Sequence, residues 1–184
     1  MGTGEDFVSK ARDEPVVLSD YDPAWPASFE AEVRRLRHLL AGIPIGRIEH
    51  IGSTAVPGLR AKPIVDLMVE VPDFDCVRER IAPILTEEGY AFFWRPVSPG
   101  DAVIDYAWFL RRDAAGRRTH HVHMAPAASP YWDRVTFRDR LRADADVAAE
   151  YTRVKETALR ESGGDRAAYA RAKGAFIRKV LADV

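Results

Sequence analysis

The stretch Ile48-Glu49-His50-Ile51-Gly52-Ser53-Thr54-Ala55-Val56-Pro57-Gly58-Leu59-Arg60-Ala61-Lys62-Pro63-Ile64-Val65-Asp66-Leu67-Met68-Val69-Glu70-Val71 decides the fold. It reads as a short strand, a polar Gly-Ser turn, a Pro/Gly-shaped connector carrying Lys62, and a strongly apolar strand. Asp66 interrupts that second strand at its start. An unpaired charge away from water is costly, so Asp66 requires a partner. A metal ion, a cation or a substrate is one explanation; an ion pair with Lys62 or an arginine is the other. Side chains alternate along a strand, which puts Asp66, Met68 and Glu70 on one face and Val65, Leu67 and Val69 on the other. The turn Gly52-Ser53-Thr54 offers close backbone approach, a hydroxyl and successive N–H groups, parts that suit a phosphate.

Upstream, residues 1–14 have no sustained periodicity and read as a loose arm, and residues 15–18 as a short edge strand. Residues 21–26 form a rigid turn with Pro26 at the first position of a helix. Phe29, Val33, Leu36 and Leu40 supply that helix with one apolar stripe, which Gly42 and Pro44 end. The strands of the quoted stretch run over about 47–51 and 64–71. Downstream, Val77, Ile81 and Leu85 predict a helix closed by Gly89. Strands follow over 90–94, 103–110 and 118–124, with a loop at 96–100 and a hairpin turn at 113–116. Beyond Pro126 no strand signal remains, and helices follow over about 130–142, 146–161 and 165–182. The expected fold class is α/β (α+β): a mixed sheet of about five strands, flanking helices and a C-terminal helical bundle. We read 15–184 as one domain, with an α/β core over 15–126 and a helical part over 127–184.

Composition excludes several classes. At 184 residues, 47% apolar and 30% charged, the chain is globular rather than disordered. A formal net charge of −1 gives no strong signal for nucleic-acid binding and none for docking on a membrane surface. The single cysteine, Cys76, excludes an intramolecular disulfide and a Cys-cluster zinc site. No apolar run approaches the ~18 residues of a membrane span and no leader pattern is visible, so a cytoplasmic location is expected.

Chemistry-bearing residues cluster in a few places. His121 and His123 share one face of the fifth strand with Thr119, while His120, Val122 and Met124 share the other. Imidazoles at i and i+2 can coordinate one metal or act as general acid or base, or can be satisfied strand histidines. With Asp66 they make a mixed donor set that suits Zn, Mn or Fe better than Mg. His50 either orients substrate or packs under the sheet. Lys62 either contacts a phosphate or pairs with Asp66. Arg118 is a further candidate anion ligand. Arg138 and Arg142, at i and i+4 on a helix, present either a phosphate clamp or a solvated charged face, and Lys155 and Lys173 are read with the same caution. Asp105, on the fourth strand, is a carboxylate that either faces the site or sits at a hairpin edge. The four tryptophans read as core unless one lines the cleft.

The runs EHIGSTAVPGL at 49–59 and AKPIVDLMVEV at 61–71 are preceded by YDPAWPASFEAEV at 21–33 and followed by HHVHM at 120–124 and FRDRLR at 137–142. Together they resemble the GrpB family from about Val16 to the last helix. The resemblance implies a nucleotidyltransferase fold. It further implies a Gly-Ser turn that holds a triphosphate, matched by Gly52 and Ser53, and a strand Asp-x-Asp that binds two metal ions, Mg or Mn. Asp66 matches the first carboxylate, but the second position is Met68, and a thioether is a poor ligand for Mg²⁺. Glu70 lies two residues further on, roughly 6.6 Å along the strand. The function implied is metal-dependent nucleotidyl transfer to a small acceptor, with a nucleotide or phosphorylated small molecule as ligand. Two alternatives stay open: a degenerate module that binds a nucleotide or CoA-related ligand without turnover, and a transition-metal enzyme built on Asp66, His121 and His123.

Overall fold

The computed structural model describes residues 17–96, 104–163 and 166–182. The expected arm over 1–14, the first half of the expected edge strand and the loop beyond residue 96 lie outside them. Five strands form one sheet in the order β1-β2-β5-β4-β3. They are β1 (Ile48–Ile51), β2 (Val65–Val71), β3 (Ala91–Pro96), β4 (Ile104–Arg112) and β5 (Arg118–Pro126). β2 and β5 pair in parallel at the centre, and every other pair is antiparallel. The sheet is therefore mixed, as expected, and the class is α+β.

The alternation read in β2 sorts the sheet into two faces. Val65, Leu67, Val69 and Val71 join Val122, Met124, Ala107 and Phe109 in the main core. Helix α1 (Trp25–Leu39) covers that face with Trp25 and Leu36, assisted by Phe29 and Val33. A second helix, α2, runs in contiguous pieces over Phe74–Cys76, Val77–Ile81 and Ala82–Glu87, and adds Val77, Ile81 and Leu85. Asp73 caps it through a 2.6 Å bond from the Cys76 N–H. Its middle piece is π-helical, with the Ala82 N–H reaching back to the Val77 carbonyl just before Pro83, which has no N–H to give. Glu32 of α1 is fully buried against this face, where Tyr90 Oη donates to it and Arg111 pairs with it.

The second face meets the C-terminal helices. After a one-turn segment Pro130–Trp132 come α3 (Asp133–Ala143), α4 (Ala145–Glu161) and α5 (Arg166–Ala182). Tyr131 and Trp132 pack on Ile51, Met68 and Ala125 of the sheet. Phe137, Leu141, Tyr151, Phe176 and Val180 tie the three helices to one another and to Val56 and Leu59 of the connector. The connector is also stitched to the N-terminal segment by paired backbone bonds between Ser19 and Ala61 at 2.8 and 3.0 Å. Of the expected edge strand, the described residues 17–18 form no strand; the bridge falls one residue further on, at Ser19. Between the second face of the sheet and α3–α5 lies the cavity described next.

Candidate functional site

Strand register places the chemistry. Asp66 stands opposite Ile51 on β1 and opposite His121 on β5, and Met68 stands opposite His123. Chain reversal right after Ile51 brings Gly52 over Asp66. Gly52 has φ 73° and ψ −173°, a region essentially reserved for glycine. A Cβ there would lie 2.6 Å from Asp66 Oδ2, so close approach of the turn to the carboxylate requires glycine twice over.

Asp66 finds its partners in histidines. His121 Nδ1 lies 3.0 Å and His123 Nε2 3.4 Å from the same oxygen, Asp66 Oδ1. Burial alone would raise the Asp66 carboxyl; its hydrogen bonds with the two histidines overcome this and hold it well below the usual carboxylate range. Burial pushes His121 down to about 4 against the pull of Asp66, and lowers His123 as well. At neutral pH the group is one carboxylate and two neutral imidazoles. His123 Nδ1 shares a 2.9 Å hydrogen bond with Tyr131 Oη, which fixes its ring. His121 Nε2 is buried and has no hydrogen-bond partner among the described residues. One donor atom from each of Asp66, His121 and His123 lies within 4.8 Å of the others.

This donor set does not fit the pair of Mg²⁺ ions that the sequence resemblance implies. Met68 is fully buried under Tyr131 and Trp132 and offers no oxygen. Glu70 is turned to Arg47 at 3.0 Å at the far end of the strand. Asp105 is absent from both the donor cluster and the cavity wall; burial raises its carboxyl. Two imidazoles and one carboxylate do fit a single borderline transition-metal ion.

The cavity beside the group has a volume of about 200 Å³. Of the residues singled out in the sequence, Gly52, Ser53, Thr54, Lys62, Asp66, His121 and His123 line it. Three expected ligands do not. His50 points to the opposite side of β1, stacks on Phe29 at 4.8 Å and bonds Thr54 Oγ1 at 3.0 Å, so it braces the turn from behind. Arg118 is buried at the start of β5, where the register against β4 shifts, and is absent from the cavity wall. Arg138 is consumed by structure: it donates to Glu49 at 2.7 Å and to the His50 carbonyl at 2.8 Å. Its neighbour Arg142 donates to the Ala55 carbonyl at 2.7 and 2.9 Å, so α3 clamps both ends of the Gly-Ser turn.

Besides Lys62 of the connector, the cations that line the cavity come from the helices. Lys155 is fully buried, reaches the Arg60 carbonyl and Ser53 Oγ, and stacks over Tyr151 at 5.0 Å. Lys173 lies over Tyr169 at 4.6 Å. Neither is the solvated helix lysine of the sequence reading. Arg134 stands at the mouth over Tyr131 at 4.3 Å. Burial lowers Lys155 to about 8 and Lys173 to about 7, with Lys62 adding to the effect at Lys173. Lys62, Arg134, Lys155 and Lys173 thus face a single carboxylate, Asp66, in the cavity wall. One signal could have found the lysines: residues 151–155 read YTRVK and 169–173 read YARAK, the same Tyr-x-Arg-x-Lys spacing on successive helices. At i and i+4 each tyrosine and lysine share a helix face.

The model of the family described as GrpB protein matches residues 15–183. The chain belongs to the GrpB family. A UPF0157 protein of Pseudomonas aeruginosa is 39% identical over 175 residues, covering 94% of this chain and 69% of the relative. The crystal structure of conserved protein GrpB from Enterococcus faecalis matches with a TM-score of 0.74 and 29% identity, over 91% of this chain and 96% of the other. A structure of the Cid1 poly(U) polymerase with Mg 3'-dATP bound matches with a TM-score of 0.54 at 15% identity, over 91% of this chain and 52% of that one. That second likeness carries the fold alone: this GrpB-family chain has a nucleotidyltransferase-like architecture. No helix among the described residues is long and apolar enough to cross a membrane.

Proposed function

We propose that this protein binds a nucleotide or another phosphorylated small molecule in the cavity, and acts on it with one divalent transition-metal ion held by Asp66, His121 and His123. The observation that carries the reading is the charge of the wall: four cationic side chains against one carboxylate. Burial disfavours the charged forms of Lys155 and Lys173, and a bound phosphate would offset that cost. Ser53, with Lys155 at its hydroxyl, and Lys62 and Lys173 then position phosphate oxygens. Zinc, manganese or iron suits the donor set, and such an ion would supply Lewis acidity beside the phosphate. Asp66 supplies the one negative ligand. Tyr131 keeps His123 Nε2 aimed at the shared point.

A thermal-shift scan tests this directly. Inorganic tripolyphosphate should stabilise wild type, and Zn²⁺ or Mn²⁺ should stabilise wild type but not His123→Ala. Identical metal responses in the two proteins would remove the metal, and indifference to every phosphate would remove the ligand class. Release of pyrophosphate from a nucleoside triphosphate with Mg²⁺ alone, unaffected in His123→Ala, would return the reading to two-metal nucleotidyl transfer.

A further inference from the structure

The lysines and the Gly-Ser turn flank the Asp66 group on one side; on the other side lies a row of aromatic rings. Register sets Phe93 opposite Trp108 and Trp108 opposite His123 on the same face of the sheet. Trp108 meets His121 edge-on at 5.0 Å, and Phe93 follows at 5.9 Å from Trp108. The Arg95 guanidinium lies 5.5 Å over the indole, and Tyr106 closes the row beside His123 at 5.0 Å.

These rings differ from their strand neighbours. Phe92 and Phe109, one residue away, turn into the main core, whereas Phe93 and Trp108 belong to no core cluster and stay half-exposed. The one-turn segment before α3 packs over β1, β2, the C-terminal end of β5 and Tyr106 of β4 through Tyr131 and Trp132. Trp108 also carries an enclosed N–H with no hydrogen-bond partner among the described residues. A phenyl ring would fill the row without that unsatisfied donor. What the indole adds is a wider π-face, next to the site and under an arginine.

We propose that Phe93, Trp108 and Arg95 form the subsite for a planar nitrogen heterocycle, the nucleobase of the ligand whose phosphates lie among the lysines. The assignment rests on the phosphate reading above and narrows it from phosphorylated small molecules to nucleotides. Continuity carries it: one histidine, His121, lines the cavity on one side and touches the Trp108 ring on the other. Stacking on an aromatic face tolerates any base, so a preference among bases is not expected.

Calorimetric titration of wild type with ATP, UTP and inorganic tripolyphosphate, at one salt concentration, tests the subsite. Wild type should bind both nucleotides more tightly than tripolyphosphate, by about five- to a hundredfold, the range that base stacking on an aromatic side chain provides. In Trp108→Leu the nucleotide advantage should disappear while tripolyphosphate affinity is kept, which also certifies that the variant is folded. Trp108→Phe should restore most of the advantage, and Phe93→Leu should lose part of it. Tripolyphosphate binding with no nucleotide advantage in wild type, or an advantage unchanged in Trp108→Leu, overturns the subsite and leaves the phosphate reading standing. Failure of wild type to bind tripolyphosphate and nucleotides alike overturns both.

Discussion

Gly52 is where backbone and chemistry constrain each other most tightly. Gly52→Ala places a methyl 2.6 Å from Asp66 Oδ2 in a backbone region that only glycine tolerates. The expected cost is about 1–3 kcal/mol of stability in urea unfolding, together with loss of the metal-induced thermal shift. Tyr131 makes a separate prediction. Removing its hydroxyl in Tyr131→Phe frees His123 Nδ1 without touching the donor atoms, and Zn²⁺ affinity should fall about 10–100-fold in a chelator competition. An unchanged affinity would exclude His123 Nε2 as a ligand. That Asp66 needed a partner was legible from its place in an apolar strand. That the partners are His121 and His123 was legible only as a possibility, because the parallel register of β2 on β5 is set by no turn between them. His50 misled for the opposite reason: its sequence position beside the turn is close, but strand alternation points it to the rear.

At the scale of elements, α3 serves as a clamp and α4 and α5 serve as the anion wall. Arg138→Ala strips two charge-assisted bonds from β1 and should cost about 2–3 kcal/mol of stability, read by thermal or urea unfolding. Phosphate affinity should fall only as far as the turn loosens. Lys155→Met should separate the two effects the other way. It removes a buried charge while keeping the chain volume, so stability should change by no more than about 1 kcal/mol while tripolyphosphate binding drops at least tenfold. A large loss of stability with binding intact would make Lys155 a structural strut for the Arg60 carbonyl. Helix and strand order was readable because apolar periodicity and Gly/Pro punctuation are local signals, seen in the Leu36 stripe and the Gly116 turn. The roles of charged helix residues were not. Arg138, Arg142 and Lys155 bond main-chain carbonyls of His50, Ala55 and Arg60, which are far away in the chain and invisible in a charge pattern.

The whole molecule carries two opposed pH dependences. His50 and His121 are lowered to about 4 from 6.5 by burial, and His120 and His123 are lowered as well. A group whose folded pKa is depressed contributes stability that is present above its unfolded pKa and is lost as pH falls toward the folded one. Unfolding free energy should therefore hold at pH 7 and decline from about pH 6.5 toward pH 4, with His50 alone accounting for about 3 kcal/mol. Urea unfolding at pH 7.5, 5.5 and 4.5 checks it, and a flat profile would contradict the buried neutral state. Phosphate binding runs the other way. Lys173 near 7 and Lys155 near 8 are charged below those values, so affinity should weaken as pH rises from 7 to 9 and binding at pH 8 should take up protons from buffer. Topology adds a consequence for synthesis. The parallel β2–β5 pair joins a strand ending at Val71 to one starting at Arg118. While the nascent chain lacks that later strand, β2 has only β1 beside it, and a two-stranded unit is marginal in water. An apolar strand edge then waits unpaired behind the ribosome until β5 emerges. Slowing translation between the codons of the two strands should raise aggregation of newly made chains, without altering the stability of those that finish folding.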